Sequence, residues 1–255
     1  MILTCDIGNS RIKFGSFIGD ELIDFRAYHK IEDSIKFILE VQPAVIAISS
    51  VASFKLNQLI NAVKPKFLSN IFFVDRHQHF NLIINYNSAA TLGIDRICSA
   101  EGAIYLLQKD KHLNQIFEND FIMTIDFGTA TTINLVKFPN VFEGGLIMPG
   151  MKLMSESLYK RTEQLPEIKI AITNSVIGKT TEENINSGII NSTVGLIERV
   201  IRKIKDEFKA DVKKIFITGG NTKLVQDNLD FEYEYSEGLV LYGIKSIYDL
   251  NLKKN

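Results

Sequence analysis

The sequence predicts an α/β fold made of two halves with the same element order, and three observations carry that prediction. Apolar strand-like runs alternate with amphipathic helical stretches along the whole chain. The stretches ILTCDIGNSRIKFG (residues 2–15) and IMTIDFGTATTINL (residues 122–135) both read as strand, acidic turn, strand. Asp6 and Asp126 occupy matching places in the pattern I-[LM]-T-x-D-x-G, 126 − 6 = 120 positions apart. A repeated order with a repeated motif points to duplication.

Residues 2–6 form an apolar run with the look of a buried strand, RIKFGSF alternates as a second, and ELIDFRAY follows the Gly19-Asp20 turn as a third. The period then changes: Ile31, Ile35, Phe37, Ile38 and Val41 suit a helix. AVIAIS at 44–49 is a continuous apolar strand, FKLNQLINAV is helical, NIFFVD is a strand, and a helix from about Gly93 to Gln108 closes the half. The polar stretch KDKHLNQIFEND, around residues 110–120, marks the boundary, which divides the chain into halves 1–115 and 116–255. In the second half FIMTID, TTINLVKF and VFEGGLIM are strands, and a helix starts near Pro149-Gly150. After a polar segment with Pro166, a long helix spans about Thr180 to Phe208, with Ile185, Ile189, Val194, Ile197, Val200, Ile201 and Ile204 on one face. KKIFITGG is a strand ending in a glycine turn, and EGLVLYGIKSIYDL is a closing helix.

The 255 residues are 45% hydrophobic and 23% charged, ordinary globular usage for one large or two small domains. A net charge of −1 supplies no global basic field for nucleic acid. No stretch approaches the roughly 20 apolar residues that span a bilayer, and the N-terminus runs straight into Asp6 without the pattern of a signal peptide. Cys5 and Cys98 lie in apolar surroundings without metal-like spacing, which predicts buried, reduced thiols in a cytoplasmic protein.

A glycine two residues after a strand-terminal Asp lets the backbone turn sharply with its amides exposed, and such amides are phosphate donors. The Asp repels phosphate itself, so its natural partner is a cation that bridges it to phosphate oxygens, usually magnesium through water. Two such hairpins would hold the ends of a triphosphate, with Asn9, Ser10, Thr129, Thr131 and Thr132 as neutral donors and Lys13 as a point charge. There is no GxxxxGK[ST], so the chain is not a P-loop protein, and no GxGxxG marks a dinucleotide site. A third glycine turn, TGGN at 218–221, suits close approach of a ring or phosphate, and equally a plain strand-to-helix connection.

Paired phosphate hairpins in duplicated halves resemble the acetate and sugar kinase/Hsp70/actin superfamily. More specifically, DIGNSRIKFG, ISSV at 48–51, GIDR at 93–96, DFGTATT at 126–132, GGLIMPG at 144–150, LYKRTEQLP at 158–166, GKTTEENINSG at 178–188 and TGG at 218–220 occur in the order of a type III pantothenate kinase. The resemblance implies two ribonuclease H-like (actin-like ATPase) halves with mixed sheets and an ATP cleft between them. It implies a phosphotransferase with an alcohol acceptor: ATP-dependent phosphorylation of pantothenate to 4'-phosphopantothenate, the first step towards coenzyme A. It also implies a cytoplasmic homodimer that uses Mg2+ with ATP and a monovalent cation, K+ or NH4+.

Carried over by position, the resemblance makes Asp6, Ile7, Gly8, Asn9, Ser10, Arg11, Ile12 and Lys13 the first phosphate loop, with Asp6 near magnesium through phosphate or water. It makes Asp95 the catalytic base, and it puts Gly93, Ile94, Asp95 and Arg96 in the pantothenate site with Arg96 on the substrate carboxylate. Tyr86 and Thr181 become pantothenate contacts, Asp126 the monovalent-cation ligand, Thr129 an ATP contact, and Gly219 and Gly220 part of the adenosine-side turn. Ala89 stands where the family usually has Pro, Asn134 where it often has Asp, and Ser10 where Thr is common.

Phosphoryl transfer to an alcohol needs a metal, electrostatic clamps and a group that orients or deprotonates the hydroxyl. Asp95, at the start of a helix whose N-terminus favours negative charge, suits that last role, and equally that of a plain helix-start residue paired with Arg96. His77 and His79 read as a surface pair, Arg161 as a solvated helix end, and the stripe on the long helix as mostly core, with part available for a dimer seam. Two other functions fit the same scaffold: a kinase of another small molecule, or a non-catalytic nucleotide-binding accessory regulator.

Overall fold

The structure, a computed structural model, describes residues 1–67, 70–109 and 116–252. Part of the polar boundary stretch, residues 110–115, lies outside them. Contacts divide the chain into two units: Met1–Gln115 with Asn140–Glu143 and Gly238–Asn255, and Ile116–Pro139 with Gly144–Glu237.

The first unit holds β1 (Ile2–Ile7), β2 (Ile12–Ile18), β3 (Glu21–Tyr28), α1 (Ile31–Val41), β4 (Val45–Ser50), α2 (Ser53–Phe67), β5 (Ile71–Phe73), β6 (Ile83–Ile84) and α3 (Ile94–Leu107). Its sheet has the order β3-β2-β1-β4-β5. β1 pairs antiparallel with β2 and parallel with β4, so it is central and needs apolar groups on both faces. Leu3, Cys5 and Ile7 pack with Phe37 and Ile38 of α1 and Leu59 and Val63 of α2. Alternation sends Thr4 and Asp6 to the opposite face. β6 is too short to have shown in the sequence.

The second unit contains β7 (Phe121–Phe127), β8 (Ala130–Lys137), most of β9 (Val141–Pro149), α4 (Met151–Arg161), α5 (Thr181–Phe208), β10 (Val212–Thr218) and β11 (Glu234–Tyr235). Its strands run in the order β9-β8-β7-β10-β11, with β7–β8 antiparallel and β7–β10 and β10–β11 parallel. Read by position, the first sheet and these five strands share the order 3-2-1-4-5, and β6 adds a sixth strand beyond β9. The fold is the predicted α/β class with two mixed sheets of ribonuclease H-like order. The predicted stripe on α5 is largely core: Ile185, Ile189, Val194, Ile197 and Ile204 are buried against Met123, Ile125 and Phe127.

The closing helix α6 (Leu239–Leu252) belongs to the first unit, although it follows the second half in the chain. It lies on α3 at a distance only glycine allows: a Cβ at Gly102 would collide with Leu239 O, and one at Gly243 with Cys98 O. Both cysteines are buried free thiols, as expected. His77, His79 and Arg161 are exposed, the last at the C-terminal end of α4. Among the described residues no helix is long and apolar enough to cross a membrane.

Candidate active site

In the first unit the acidic turn closes β1 against β2 in a loop of four residues, Gly8 to Arg11, with Ile7 opposite Ile12 and Asp6 opposite Lys13. Gly8 N donates to Arg11 O at 3.0 Å. Asp6 is buried, Lys13 half-buried, and Asn9 and Ser10 exposed at the tip. Lys55, from the first turn of α2, donates to Asn9 O at 2.6 Å and Gly8 O at 3.3 Å. Nothing in its sequence surroundings marks Lys55 as a brace, because the contact joins residues far apart in the chain.

The N-terminus of α3 presents Asp95 and Arg96. Gly93 precedes the helix, and a Cβ there would sit 2.5 Å from Asp95 Oδ1, so glycine makes room for this carboxylate. Asp95 Oδ1 accepts from Arg96 N at 2.9 Å. The Arg96 guanidinium lies over the Phe142 ring, 5.7 Å from its centroid, and the Tyr86 ring packs edge-on against the same ring at 6.3 Å. Tyr86, Gly93, Ile94, Asp95 and Arg96 therefore stand in one unit, where Tyr86 and Arg96 share a phenylalanine the sequence did not single out. Phe142 reaches them through β9, where Ile84 pairs with Phe142 and Asn85 N donates to Phe142 O at 3.0 Å.

Electrostatics links this helix to the first turn. Burial pushes the Cys98 thiol well above the ordinary thiol range; the polar Ser49 hydroxyl opposes that, and the carboxylates of Asp6, Asp95 and Glu101 push it further up. One turn of α3 thus lies within the field of both Asp6 and Asp95.

In the second unit Phe127 pairs with Thr131, leaving a loop of three residues, Gly128 to Ala130. Gly128 N donates to Ala130 O at 3.1 Å. The support here is backbone. Gly150 N donates to Thr129 O at 3.0 Å, and a Cβ on Gly150 would lie 2.5 Å from both Gly128 O and Thr129 O. Asn221 donates through its backbone N to Phe127 O and through Nδ2 to Gly128 O, both at 3.1 Å. Gly219 has φ +103°, and a Cβ there would sit 2.5 Å from Asp126 Oδ1. Gly220 beside it is exposed. Asp126, Thr129, Gly219 and Gly220 are thus gathered in this unit, and Gly150 and Asn221 are the supports that the motif reading missed.

Asp126 Oδ1 is buried and has no hydrogen-bond partner among the described residues. A buried carboxylate oxygen left so is costly and suits a bound cation. Asp6, a buried carboxylate at the end of the first acidic turn, is likewise the hard oxygen donor a divalent ion prefers. Thr181 stands in the second unit as the first residue of α5, exposed, beside a capping box between Thr180 and Glu183. Asn134 is buried in β8, its Nδ2 donating to Thr124 Oγ1 at 3.0 Å.

A sequence model of the family described as type III pantothenate kinase matches residues 2–203. A type III pantothenate kinase of Sulfurihydrogenibium sp. is 32% identical over 259 aligned residues, covering 96% of this chain and 98% of that protein. One from Legionella pneumophila strain Corby is 33% identical, covering 96% and 97%. Among solved structures, a Campylobacter jejuni protein described as a "conserved putative Baf family transcriptional activator" superposes with a TM-score of 0.64 at 21% identity, over 98% of this chain and 99% of that one.

Proposed function

The chain belongs to the type III pantothenate kinase family, and we infer that it transfers the γ-phosphoryl group of ATP to the terminal hydroxyl of pantothenate. The products are ADP and 4'-phosphopantothenate, in the first step towards coenzyme A. The observation that carries the reading is the construction of the α3 N-terminus. Gly93 clears space for the Asp95 carboxylate while Arg96, a buried cation, is held on Phe142 beside Tyr86.

In this reading Arg96 takes the pantothenate carboxylate, for which a fixed guanidinium is well suited. Tyr86 and Thr181 make further contacts with pantothenate. Asp95 orients the terminal hydroxyl and accepts its proton as the oxygen–phosphorus bond forms and the bond to ADP breaks. In a loose transition state that proton leaves late, so a weak base suffices. The amides and side chains of residues 6–13 hold one part of the triphosphate. Thr129 and the turn at Gly219 and Gly220 serve ATP from the second half.

Asp6 would hold magnesium through phosphate or water, and Asp126 would hold potassium or ammonium. When bound, these ions supply positive charge against the phosphate oxygens. The halves 1–115 and 116–255 are proposed as products of one duplication. We also propose a cytoplasmic homodimer. Supporting a second copy, Ile147, Leu153, Tyr159, Ile172, Val176 and Ile177 of the second unit are exposed apolar side chains.

The test is pantothenate-dependent ADP release with Mg-ATP, with and without potassium, beside panels of sugars and hydroxy acids. Activity with pantothenate alone is expected, and Asp95→Asn should lower turnover on the order of 100-fold. No turnover with potassium present overturns the function; an Asp95→Asn variant as active as its parent overturns the base.

A further inference from the structure

A second carboxylate on α3 takes no part in the chemistry above. Glu101 is fully buried, and every neighbour that an observed hydrogen bond gives it is a donor. Its Oε1 accepts from Leu82 N at 2.8 Å. Its Oε2 accepts from Asn81 Nδ2 at 3.0 Å and from Ser246 Oγ at 3.5 Å. A buried carboxylate is tolerated only where donors surround it. Burial pushes the Glu101 carboxyl above its ordinary value, while the hydrogen bonds of Asn81, Leu82 and Ser246 pull it down.

What these bonds hold is informative. Asn81 and Leu82 lead directly into β6, whose Ile83 and Ile84 pair with Val141 and Phe142. Asn140 Nδ2 donates back to Asn81 O at 2.6 Å. Two residues after β6 comes Tyr86, on the Phe142 ring that also carries Arg96. The segment presenting Tyr86 and the strand presenting Phe142 are thus tied to the same helix that presents Asp95 and Arg96, and Glu101 is the tie. We propose that Glu101 is the positioning residue of the pantothenate site, setting Tyr86 and Phe142 against Arg96 by anchoring the Asn81–Leu82 segment to α3. This rests on the pantothenate kinase reading above.

The test compares the full-length parent, Glu101→Gln and Asn81→Ala in steady-state kinetics, varying pantothenate and ATP in turn. The amide of Glu101→Gln turns an NH2 group towards a donor and frees the segment. A displacement near 1 Å in a substrate contact costs up to about 100-fold. The KM for pantothenate should therefore rise about ten- to 100-fold, with the KM for ATP within about twofold. Asn81→Ala removes the Nδ2 bonds to Glu101 and Ser246 but leaves the bond from Leu82 N, and should move the same constant by less. A purely structural role would lower the yield of active enzyme without separating the two KM values.

If Glu101→Gln does not accumulate folded, Asn81→Ala decides: a rise confined to pantothenate supports the proposal, and unchanged constants overturn it. Equal rises for both substrates also overturn it. A parent without pantothenate-dependent turnover sinks the functional reading and the proposal together. An active parent with unmoved variants sinks the proposal alone.

Discussion

The two acidic turns are built on the same frame and supported by different means. Each follows the strand in position 1 of a 3-2-1-4-5 run of strands, and each has Asp two residues before Gly. The first is a four-residue loop braced by an amine, Lys55, reaching two carbonyls from α2. The second is a three-residue loop locked by close backbone at Gly150 and Gly219 and by Asn221. Asp6 stands opposite Lys13, whereas Asp126 stands opposite Thr132 with one buried oxygen that has no hydrogen-bond partner among the described residues. The same hairpin motif is surrounded by different supports in the two units. The two acids therefore differ through their neighbours and not through their own backbone.

The largest expected effect tests the backbone lock. Gly219→Ala forces a side chain into a left-handed backbone and against Asp126, and should cost about 3 kcal/mol or more in urea unfolding. A Cβ at Gly8 would lie 3.2 Å from Arg11 O with no left-handed backbone to strain, so Gly8→Ala should change stability by no more than about 1 kcal/mol. Equal losses would break the contrast between the turns.

Next comes the division between the acids. Asp6→Asn should lower kcat/KM for Mg-ATP about 100-fold at every potassium concentration, as expected for lost charge at a metal-phosphate site. If Asp126 holds the monovalent cation, potassium should stimulate the parent and raise its melting temperature, and Asp126→Asn should abolish both effects. Identical responses of the two variants to potassium would remove the distinction.

Smaller effects probe the braces. Lys55→Ala should raise the KM for ATP a few-fold, about 1 kcal/mol, and the defect should shrink in high salt, where the half-buried amine of the parent is itself partly screened. Asn221→Ala should cost about as much without that salt dependence, since its bond is neutral.

The smallest concerns the thiols, both of which lie in the first unit. Burial foremost, then the Asp6 carboxylate, pushes the Cys5 thiol well up, as burial does for Cys98. Neither should react with a thiol reagent at pH 8 until that unit unfolds. The folded state holds these protons to higher pH than the unfolded chain, so stability from the thiols is full below about pH 8.5 and is lost as pH rises beyond it.

Much of this was legible in the residues. Helices α1 and α5 carry their apolar stripes at helical spacing, and β1 and β7 show the continuous apolar runs of central strands, because each must bury both faces. The strand β6, the Lys55 brace and the shared ring of Phe142 were not legible. A two-residue strand has no period to read, and each of these contacts spans long stretches of chain.

By itself, then, the sequence determined the α/β order, the twin Asp-Gly turns and the family, because periodicity and ordered motifs are local properties of the chain. Only the tertiary structure decided that α6 and residues 140–143 belong with the first unit, that Arg96 and Tyr86 share Phe142, and that one Asp126 oxygen is buried with no hydrogen-bond partner among the described residues. Those outcomes depend on which surfaces close-pack, and packing between distant segments leaves no mark in the spacing of either one.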